Sequence, residues 1–310
     1  MTSARDHGGG LDAAIARYGG TRADWLDLST GINPVPYPVG EIAPEAWTAL
    51  PDQGAMDQLL TAARRFWNVP KGTQIVAAPG ASALIARIPA LAPPGTAFIA
   101  APTYNEHAAA FNAFGWSLGQ TNPAAQVVVH PNNPDGRIWA ETDLFAPLTI
   151  IDESFCDVTP AASLIRLSTR PGALILKSFG KFWGLAGLRL GFAIGDPVLI
   201  TRLADLLGPW PISGPALEIG ARALTDTDWA NATRARLAAD AARLDTLMAP
   251  HSNIVGGTDL FRLYAVDDAK AWQDRLAKHR IWARIFPYSD TWLRLGLPAP
   301  DRWPQLEAAL

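Results

Sequence analysis

Ser178-Phe179-Gly180-Lys181-Phe182-Trp183-Gly184-Leu185-Ala186-Gly187-Leu188-Arg189-Leu190-Gly191 follows, after Lys177, on the apolar run Ala173-Leu174-Ile175-Leu176 and leads into a second, Leu190-Gly191-Phe192-Ala193-Ile194. Runs this short, aliphatic and without polar alternation read as strands buried on both faces. The glycines between them allow tight turning and let a bulky ligand approach the backbone. A lysine at the head of such a turn, Lys181, with Arg189 further along, is the pairing that a Schiff-base amine beside a phosphate requires. By itself Lys181 would read as a surface lysine in a glycine-rich loop; the flanking strands argue against that.

Working outward, the same pattern recurs. Apolar runs at 74–78, 97–100, 126–129 and 148–151 are followed by Pro79-Gly80-Ala81-Ser82, Pro102-Thr103-Tyr104, His130-Pro131-Asn132-Asn133-Pro134 and Asp152-Glu153-Ser154-Phe155. Buried strands alternating with helix-like segments predict an α/β fold with a mainly parallel mixed sheet covered by helices. Polar residues then gather at the carboxyl ends of the strands, where open α/β sheets bind ligands. Leu237, Ala241, Leu244 and Leu247 predict a long helix over 228–249. Beyond Pro250 the order is strand (260–265), helix (269–279), strand (281–286), strand (292–297) and a last helix from about 301. That pattern marks a smaller α+β domain. The expected organisation is an N-terminal arm, 1–45, irregular rather than helical because of its glycines and prolines, a large domain, 46–229, and a small C-terminal domain, 230–310.

Composition removes several classes of function. With 49% hydrophobic residues, 18% charged residues and 12 tryptophans among 310 residues, the chain is too apolar for disorder. A net charge of -3 offers no field for nucleic acid or an anionic membrane, so anions must be met locally. The single cysteine, Cys156, forms no internal disulfide, and the five histidines show no zinc spacing, so no metal is expected. The N-terminus lacks the apolar core of a signal peptide, and the stretch 76–101 is interrupted by Gly80, Pro89, Pro93, Pro94 and Gly95, so no spanning helix is expected there. A cytoplasmic protein is the expectation.

The segment Ser178–Gly191 resembles the lysine signature of the fold-type I pyridoxal-phosphate enzymes of the class I/II aminotransferase superfamily. The resemblance implies pyridoxal 5'-phosphate as cofactor, Lys181 as its Schiff-base lysine, and Arg189 and Ser178 as holders of its phosphate. It implies that Asp152, after the run Thr149-Ile150-Ile151, pairs with the pyridine nitrogen, and chemistry agrees, because an ionised carboxylate keeps that nitrogen protonated. Taken alone, Asp152 would read as a helix cap. Asn133, in Asn132-Asn133-Pro134-Asp135-Gly136, is similar to the family asparagine that bonds the cofactor's phenolic oxygen. Gly80, Ala81 and Ser82, ahead of a helix expected to begin near Ala83, would cradle phosphate with backbone N–H groups. Tyr104 matches the aromatic that stacks on the ring. Arg284 and Arg294 each interrupt an apolar run and call for an anionic partner. Arg294 matches the clamp on the substrate carboxylate, while a structural salt bridge is an equal alternative for Arg284.

The N-terminal half resembles one branch in particular. His7-Gly8-Gly9, then Trp25-Leu26-Asp27-Leu28-Ser29-Thr30-Gly31-Ile32-Asn33-Pro34, together with Pro51-Asp52, Pro209-Trp210 and Arg284, are similar to the threonine-phosphate decarboxylases of cobalamin biosynthesis. That resemblance implies a phosphorylated amino acid substrate, contacted by His7, Gly8, Gly31, Asn133, Arg284 and Arg294, and a homodimer. Phe155 agrees with the decarboxylases, where many aminotransferases have tyrosine. Two positions depart from the pattern: Leu50 replaces a tyrosine that reaches the partner's cofactor phosphate in many relatives, and Gly31 replaces an asparagine. A histidinol-phosphate aminotransferase, or a non-catalytic cofactor-binding partner subunit, are the alternative readings.

Overall fold

The structure is a computed structural model and describes residues 7–310, so the first six positions of the expected arm lie outside the described residues. The chain divides into two compact units, one formed by 36–133 with 138–232, the other by residues up to 35 with 134–137 and 233–310.

In the larger unit, seven strands form one sheet: β1 (Gln74–Ala78), β2 (Thr96–Ile99), β3 (Ser117–Leu118), β4 (Ala125–Val129), β5 (Leu148–Asp152), β6 (Ala173–Ser178) and β7 (Gly191–Gly195). They lie in the order β1-β7-β6-β5-β4-β2-β3. β7 is antiparallel to β1 and β6, and every other pairing is parallel. The mainly parallel mixed sheet read from the sequence is therefore present, with β7 the one reversed strand. Its reversal brings its start, rather than its end, to the carboxyl edge of the others. Gly191 pairs with Ala78 on one side and Ser178 on the other. A Cβ there would lie 2.4 Å from the Ala81 backbone nitrogen, so only glycine admits β7 at this point. Burial on both faces holds for the central strands β4, β5, β6 and β7, whereas β1 and β2 are only partly buried.

Alternation along the strands gives the sheet two chemically different faces. Leu148, Ile150, Leu174, Leu176 and Ala193 join one apolar core with Leu84 and Phe111. On the other face Phe192 meets Trp67 and Phe179, with centroids 5.0 and 5.9 Å apart. Phe179 stacks on Trp183 at 5.1 Å, and Trp183 on Trp229 at 5.3 Å. Phe179, Phe182 and Trp183 are fully buried, each such ring contributing about 1.5–3 kcal/mol of burial.

In the smaller unit, β8 (Asn253–Thr258), β9 (Phe261–Ala265), β10 (Arg284–Phe286) and β11 (Ser289–Gly296) form an antiparallel sheet in the order β10-β11-β9-β8. Three expectations need correction here. The arm is not wholly irregular, because Leu11–Tyr18 is an α-helix that buries Leu11 and Ala14, with left-handed Gly10 before it and Gly19 after it. The expected strand 281–286 breaks at the buried Ala283: Ile281–Trp282 pairs in parallel with Leu26–Asp27, and only β10 joins the four-stranded sheet. Asn253–Thr258 is a strand that its polar, glycine-containing sequence does not announce. The long helix runs over Thr227–Met248, followed by Ala269–Lys278 and a short Trp303–Glu307.

The face of the large sheet that carries Phe192 also holds a buried ion cluster. Lys177 Nζ lies 2.6 Å from Glu153 Oε2 and 3.4 Å from Asp157 Oδ1. Glu153 also accepts from Ser163 Oγ (2.7 Å) and the Leu164 amide (2.6 Å), and Asp157 from the indoles of Trp67 (2.9 Å) and Trp183 (3.3 Å). Burial pulls the Lys177 ammonium down, but Glu153 and Asp157 more than offset it and hold it above its ordinary value. Burial, with Glu153 next to it, pushes the Cys156 thiol up, so the lone cysteine stays protonated. His130, Glu153 and Cys156 bring potential ligand atoms within 4.8 Å of one another. The His130 ring is already engaged, however, Nδ1 accepting from the Trp139 amide and Nε2 donating to the Ala162 carbonyl.

Replacing Lys177 by alanine would leave two carboxylates buried without their cation. The expected loss is about 3–5 kcal/mol of unfolding free energy in urea titration. A loss below about 1 kcal/mol would mean that the cluster is not a structural tie.

Candidate active site

At the carboxyl edge of the large sheet one pocket is lined by Lys181, Asp152, Asn133, Tyr104, Ser178 and Arg189, with Ala81, Ser82 and Phe155 among its other walls. These residues come from the ends of different strands, and the order of the sheet gathers them. Gly80 precedes them as the N-cap of a helix, Ala81–Ile85, which begins two residues before the expected Ala83. Ala81 and Ser82 therefore lie in its first turn. Gly80 has φ +85°, and a Cβ there would lie 2.6 Å from Arg189 Nη2. The guanidinium fills the space that a side chain would occupy, donating from Nη2 to Ser82 Oγ (2.9 Å) and from Nη1 to the Ala186 carbonyl (3.1 Å). Arg189 itself is left-handed, φ 54°, a conformation costing a non-glycine residue about 1–2 kcal/mol. Such local strain concentrates where a side chain must be aimed.

Asp152 is the last residue of β5 and is fully enclosed. One oxygen receives the His107 ring Nε2 at 2.8 Å, the other the Ser154 amide at 3.0 Å and hydroxyl at 2.5 Å. A carboxylate can only accept, so Nε2 of His107 carries the proton. Burial pushes the carboxyl up; the bond and charge of His107 together with the Ser154 bonds outweigh it and hold Asp152 below its ordinary value. An ionised acid is thus held at a buried position. His107 is absent from the sequence reading, and its signal is spacing: it follows Tyr104, the N-cap of helix Asn105–Ala113, by one helical turn. The two rings meet edge to face at 6.1 Å. Asn132, next to Asn133, is pinned by the Thr103 hydroxyl (2.6 Å) and the Pro102 carbonyl (3.0 Å), which sets the backbone from which Asn133 enters the pocket.

Lys181 is placed by its neighbours. Phe179, Phe182 and Trp183 all bury in the aromatic cluster, and Lys181 lines the pocket with its Nζ 5.3 Å from the Phe155 ring centre. Ser178 accepts the Gly180 amide at 3.3 Å and closes the turn. The donor set suits a phosphorylated, aldehyde-bearing pyridine. A guanidinium and hydroxyls meet at a left-handed glycine, a buried carboxylate is held ionised, an amine lines the same pocket, and Tyr104 supplies an aromatic wall. Pyridoxal 5'-phosphate fits the residues present.

The smaller unit holds the two arginines. Arg284 on β10 and Arg294 on β11 are direct cross-strand partners. They therefore share one face of the sheet, an arrangement unfavourable for like charges unless an anion is to be met there. Arg294 is 5% exposed, donates to the Ser29 carbonyl at 2.6 Å and lies 5.1 Å from the Phe261 ring centre. Arg284 donates to the His7 carbonyl at 2.5 Å and lies 5.3 Å from the Phe286 ring centre. Gly8 packs against Ser29, whose carbonyl oxygen would lie 2.5 Å from a Cβ at that position. Gly31 is buried in the same unit. His7, Gly8, Arg284 and Arg294 are thus brought together, by elements other than those that build the pocket around Lys181.

Comparison with known proteins gives this arrangement a context. Residues 116–303 match the family of class I and II aminotransferases. A threonine-phosphate decarboxylase of Sinorhizobium sp. is 40% identical, with 95% of this chain and 93% of that protein covered. The threonine-phosphate decarboxylase of Pseudomonas aeruginosa is 38% identical over 98% of this chain and 97% of its own. A histidinol-phosphate aminotransferase of Pectobacterium carotovorum is 32% identical, but over only 40% of this chain. Among solved structures, the histidinol-phosphate aminotransferase of Sinorhizobium meliloti in complex with pyridoxal-5'-phosphate superposes with a TM-score of 0.83. It covers 97% of this chain and 93% of its own at 19% identity, a likeness of fold. Among the described residues no helix is long and apolar enough to cross a membrane.

Because His107 keeps Asp152 ionised against burial, His107→Phe should raise the Asp152 pKa above its ordinary value near ~3.9. In the wild type the carboxylate contributes stability above that pH, and this is lost as pH falls through the depressed folded value. In the variant the acid limb moves to higher pH, measurable by carboxyl 13C shifts in an NMR titration. An unchanged Asp152 titration would show that Ser154 alone sets its charge.

Proposed function

This chain belongs to the class I and II aminotransferase family, and from that footing we propose that it is a pyridoxal-phosphate-dependent threonine-phosphate decarboxylase. It converts L-threonine O-3-phosphate to (R)-1-amino-2-propanol O-2-phosphate and carbon dioxide for cobalamin biosynthesis. The observation that carries this reading is the near-full-length likeness to two threonine-phosphate decarboxylases, whereas the likeness to a histidinol-phosphate aminotransferase stops at less than half the chain. The pocket's complete cofactor-binding set supports catalysis over a non-catalytic partner role.

Bound in the pocket, pyridoxal phosphate supplies a conjugated electron sink for the pair left on the substrate Cα when the carboxylate departs. Arg189, Ser82, Ser178 and the Gly80-Ala81 backbone hold its phosphate. Asp152, kept ionised by His107, holds a proton on the pyridine nitrogen. Asn133 bonds the phenolic oxygen, and Tyr104 packs on the ring. Lys181 Nζ would hold the cofactor until the substrate's amine takes its place, and the freed group, as an ammonium, would give the proton that goes to Cα after carbon dioxide leaves. The substrate brings two anionic groups, and the paired arginines answer them: Arg294 grips the carboxylate, while Arg284, with His7 and Gly8, receives the phosphate. Gly31 and Asn133 are the remaining substrate contacts of this reading. Which bond breaks depends on which substituent is held upright against the ring, so the grip on the anions selects the reaction.

The enzyme works as a homodimer in this reading. Trp47 and Leu50 are each 68% exposed, and Val39 is 41% exposed. Large exposed apolar side chains of this kind are what a second copy would cover. A fully active monomer in sedimentation would remove the dimer.

Purified holoenzyme given threonine phosphate should release carbon dioxide and form no glutamate from 2-oxoglutarate. Arg294→Ala should lower kcat/KM by at least about thirtyfold, about 2 kcal/mol, without altering cofactor absorption. Glutamate formation with histidinol phosphate as donor would replace the decarboxylase by the aminotransferase. Wild-type turnover in Arg294→Ala would remove the carboxylate assignment.

A further inference from the structure

We propose that Ser29 and Trp282 form a latch that fixes the N-terminal arm at Gly9, and that through it they set the affinity of the anion site around Arg284; they act as positioning residues and not as substrate contacts. This rests on the reading above for the identity of the substrate, but the latch is drawn from bonds within the smaller unit alone.

The arm is tied through its backbone. The Gly9 amide donates to Ser29 Oγ at 2.7 Å, and the Gly9 carbonyl accepts from Trp282 Nε1 at 3.0 Å. Both polar groups of one peptide residue are thereby committed to side chains far away in sequence. Ser29 is 1% exposed, and its hydroxyl has a fixed direction because it donates to Asp27 Oδ1 at 2.6 Å; the same oxygen accepts the Ser29 amide at 2.9 Å. With its proton committed to Asp27, the hydroxyl presents a lone pair to Gly9. Trp282 is held by edge-to-face packing on Trp25, with ring centres 6.3 Å apart, and by Tyr18 at the same distance. Gly9 and Gly10 have φ +88° and +80°, so the arm turns here in a conformation open to glycine. Gly8 lies so close to the Ser29 carbonyl that a Cβ would meet its oxygen at 2.5 Å.

The consequence falls on the two residues before Gly9. His7 and Gly8 have no secondary structure to place them, and the His7 carbonyl takes the Arg284 guanidinium. A segment with neither helix nor strand must be ordered by tertiary bonds, or else a ligand pays that ordering entropy when it binds. Gly9 is tied two residues from His7 and reinforces the bond that Arg284 makes to the His7 carbonyl. Releasing it weakens anion binding without touching any atom that meets the anion, and it leaves the chemistry at Lys181 alone.

The test uses holoenzyme, in which the cofactor's own phosphate cradle is filled, with Ser29→Ala and Trp282→Phe as independent variants. Trp282→Phe keeps the ring packing and removes only the N–H. Amide exchange at Gly9, resolved by NMR, is measured with and without inorganic phosphate, alongside kinetics on threonine phosphate. In both variants Gly9 should exchange about tenfold faster or more, and KM should rise about five- to twentyfold with kcat and cofactor absorption nearly unchanged. Unchanged exchange in both variants would overturn the latch, and faster exchange with an unchanged KM would overturn its role in binding. If the wild type proves inactive on threonine phosphate, the exchange data still decide. Phosphate protection of Gly9 in the wild type but not in the variants upholds the latch while the substrate reading falls; equal protection in all three overturns it.

Discussion

Lys177 is the tie on which the cofactor pocket depends. It sits at the penultimate position of β6 and bonds to Glu153 and Asp157 on the face of the sheet that carries the aromatic cluster. Successive residues of a strand face opposite ways, so fixing Lys177 and Glu153 on one face commits their neighbours Ser178 and Asp152 to the other. Those two neighbours line the pocket. Asp157 extends the tie, because it also accepts the indole of Trp183, two residues beyond Lys181. One buried cation therefore sets the facing of the acid, the serine and the lysine segment. A register slip of one residue in β5 would turn Asp152 toward the aromatics and Glu153 toward the pocket, and one in β6 would exchange Ser178 and Lys177 in the same way.

The reversed β7 supplies the remaining constraint. A strand entering from the carboxyl edge lets Arg189, two residues before it, stand beside residues that follow β1. Gly191 between Ala78 and Ser178, and left-handed Gly80 beneath the guanidinium, are the points where any side chain would prevent that approach. Two glycines and one strained arginine thus assemble the Gly80–Ser82–Arg189 cluster, proposed above to hold the cofactor's phosphate, from segments about a hundred residues apart in the chain, with the strain at Arg189 offset by the packing around it.

The strands of the large sheet were legible because double-sided burial leaves uninterrupted aliphatic runs, and the pocket residues because they follow those runs directly. Periodicity carries no such record of partners. His107 has the look of any buried helix residue until the fold sets it against Asp152, and Lys177 reads as the polar end of an apolar run until Glu153 and Asp157 close on it. The arm's helix was hidden by the glycines that bound it, although Leu11 and Ala14 mark its buried stripe. The break at Ala283 leaves no mark in the sequence, because Ala283 is itself apolar and buried; what divides the segment is that Ile281–Trp282 pairs with Leu26–Asp27 and Arg284–Phe286 with β11. Local sequence encodes which residues can be buried, while long-range pairing decides what they are buried against.

The claim that these constraints exist to place one lysine against one cofactor is tested most directly by chemical trapping. Holoenzyme reduced with borohydride, digested and mapped by mass spectrometry should carry the reduced pyridoxyl group on Lys181, with Lys177 unlabelled because it is enclosed by its carboxylates. Label on any other lysine, or none in a cofactor-loaded sample, would contradict the account.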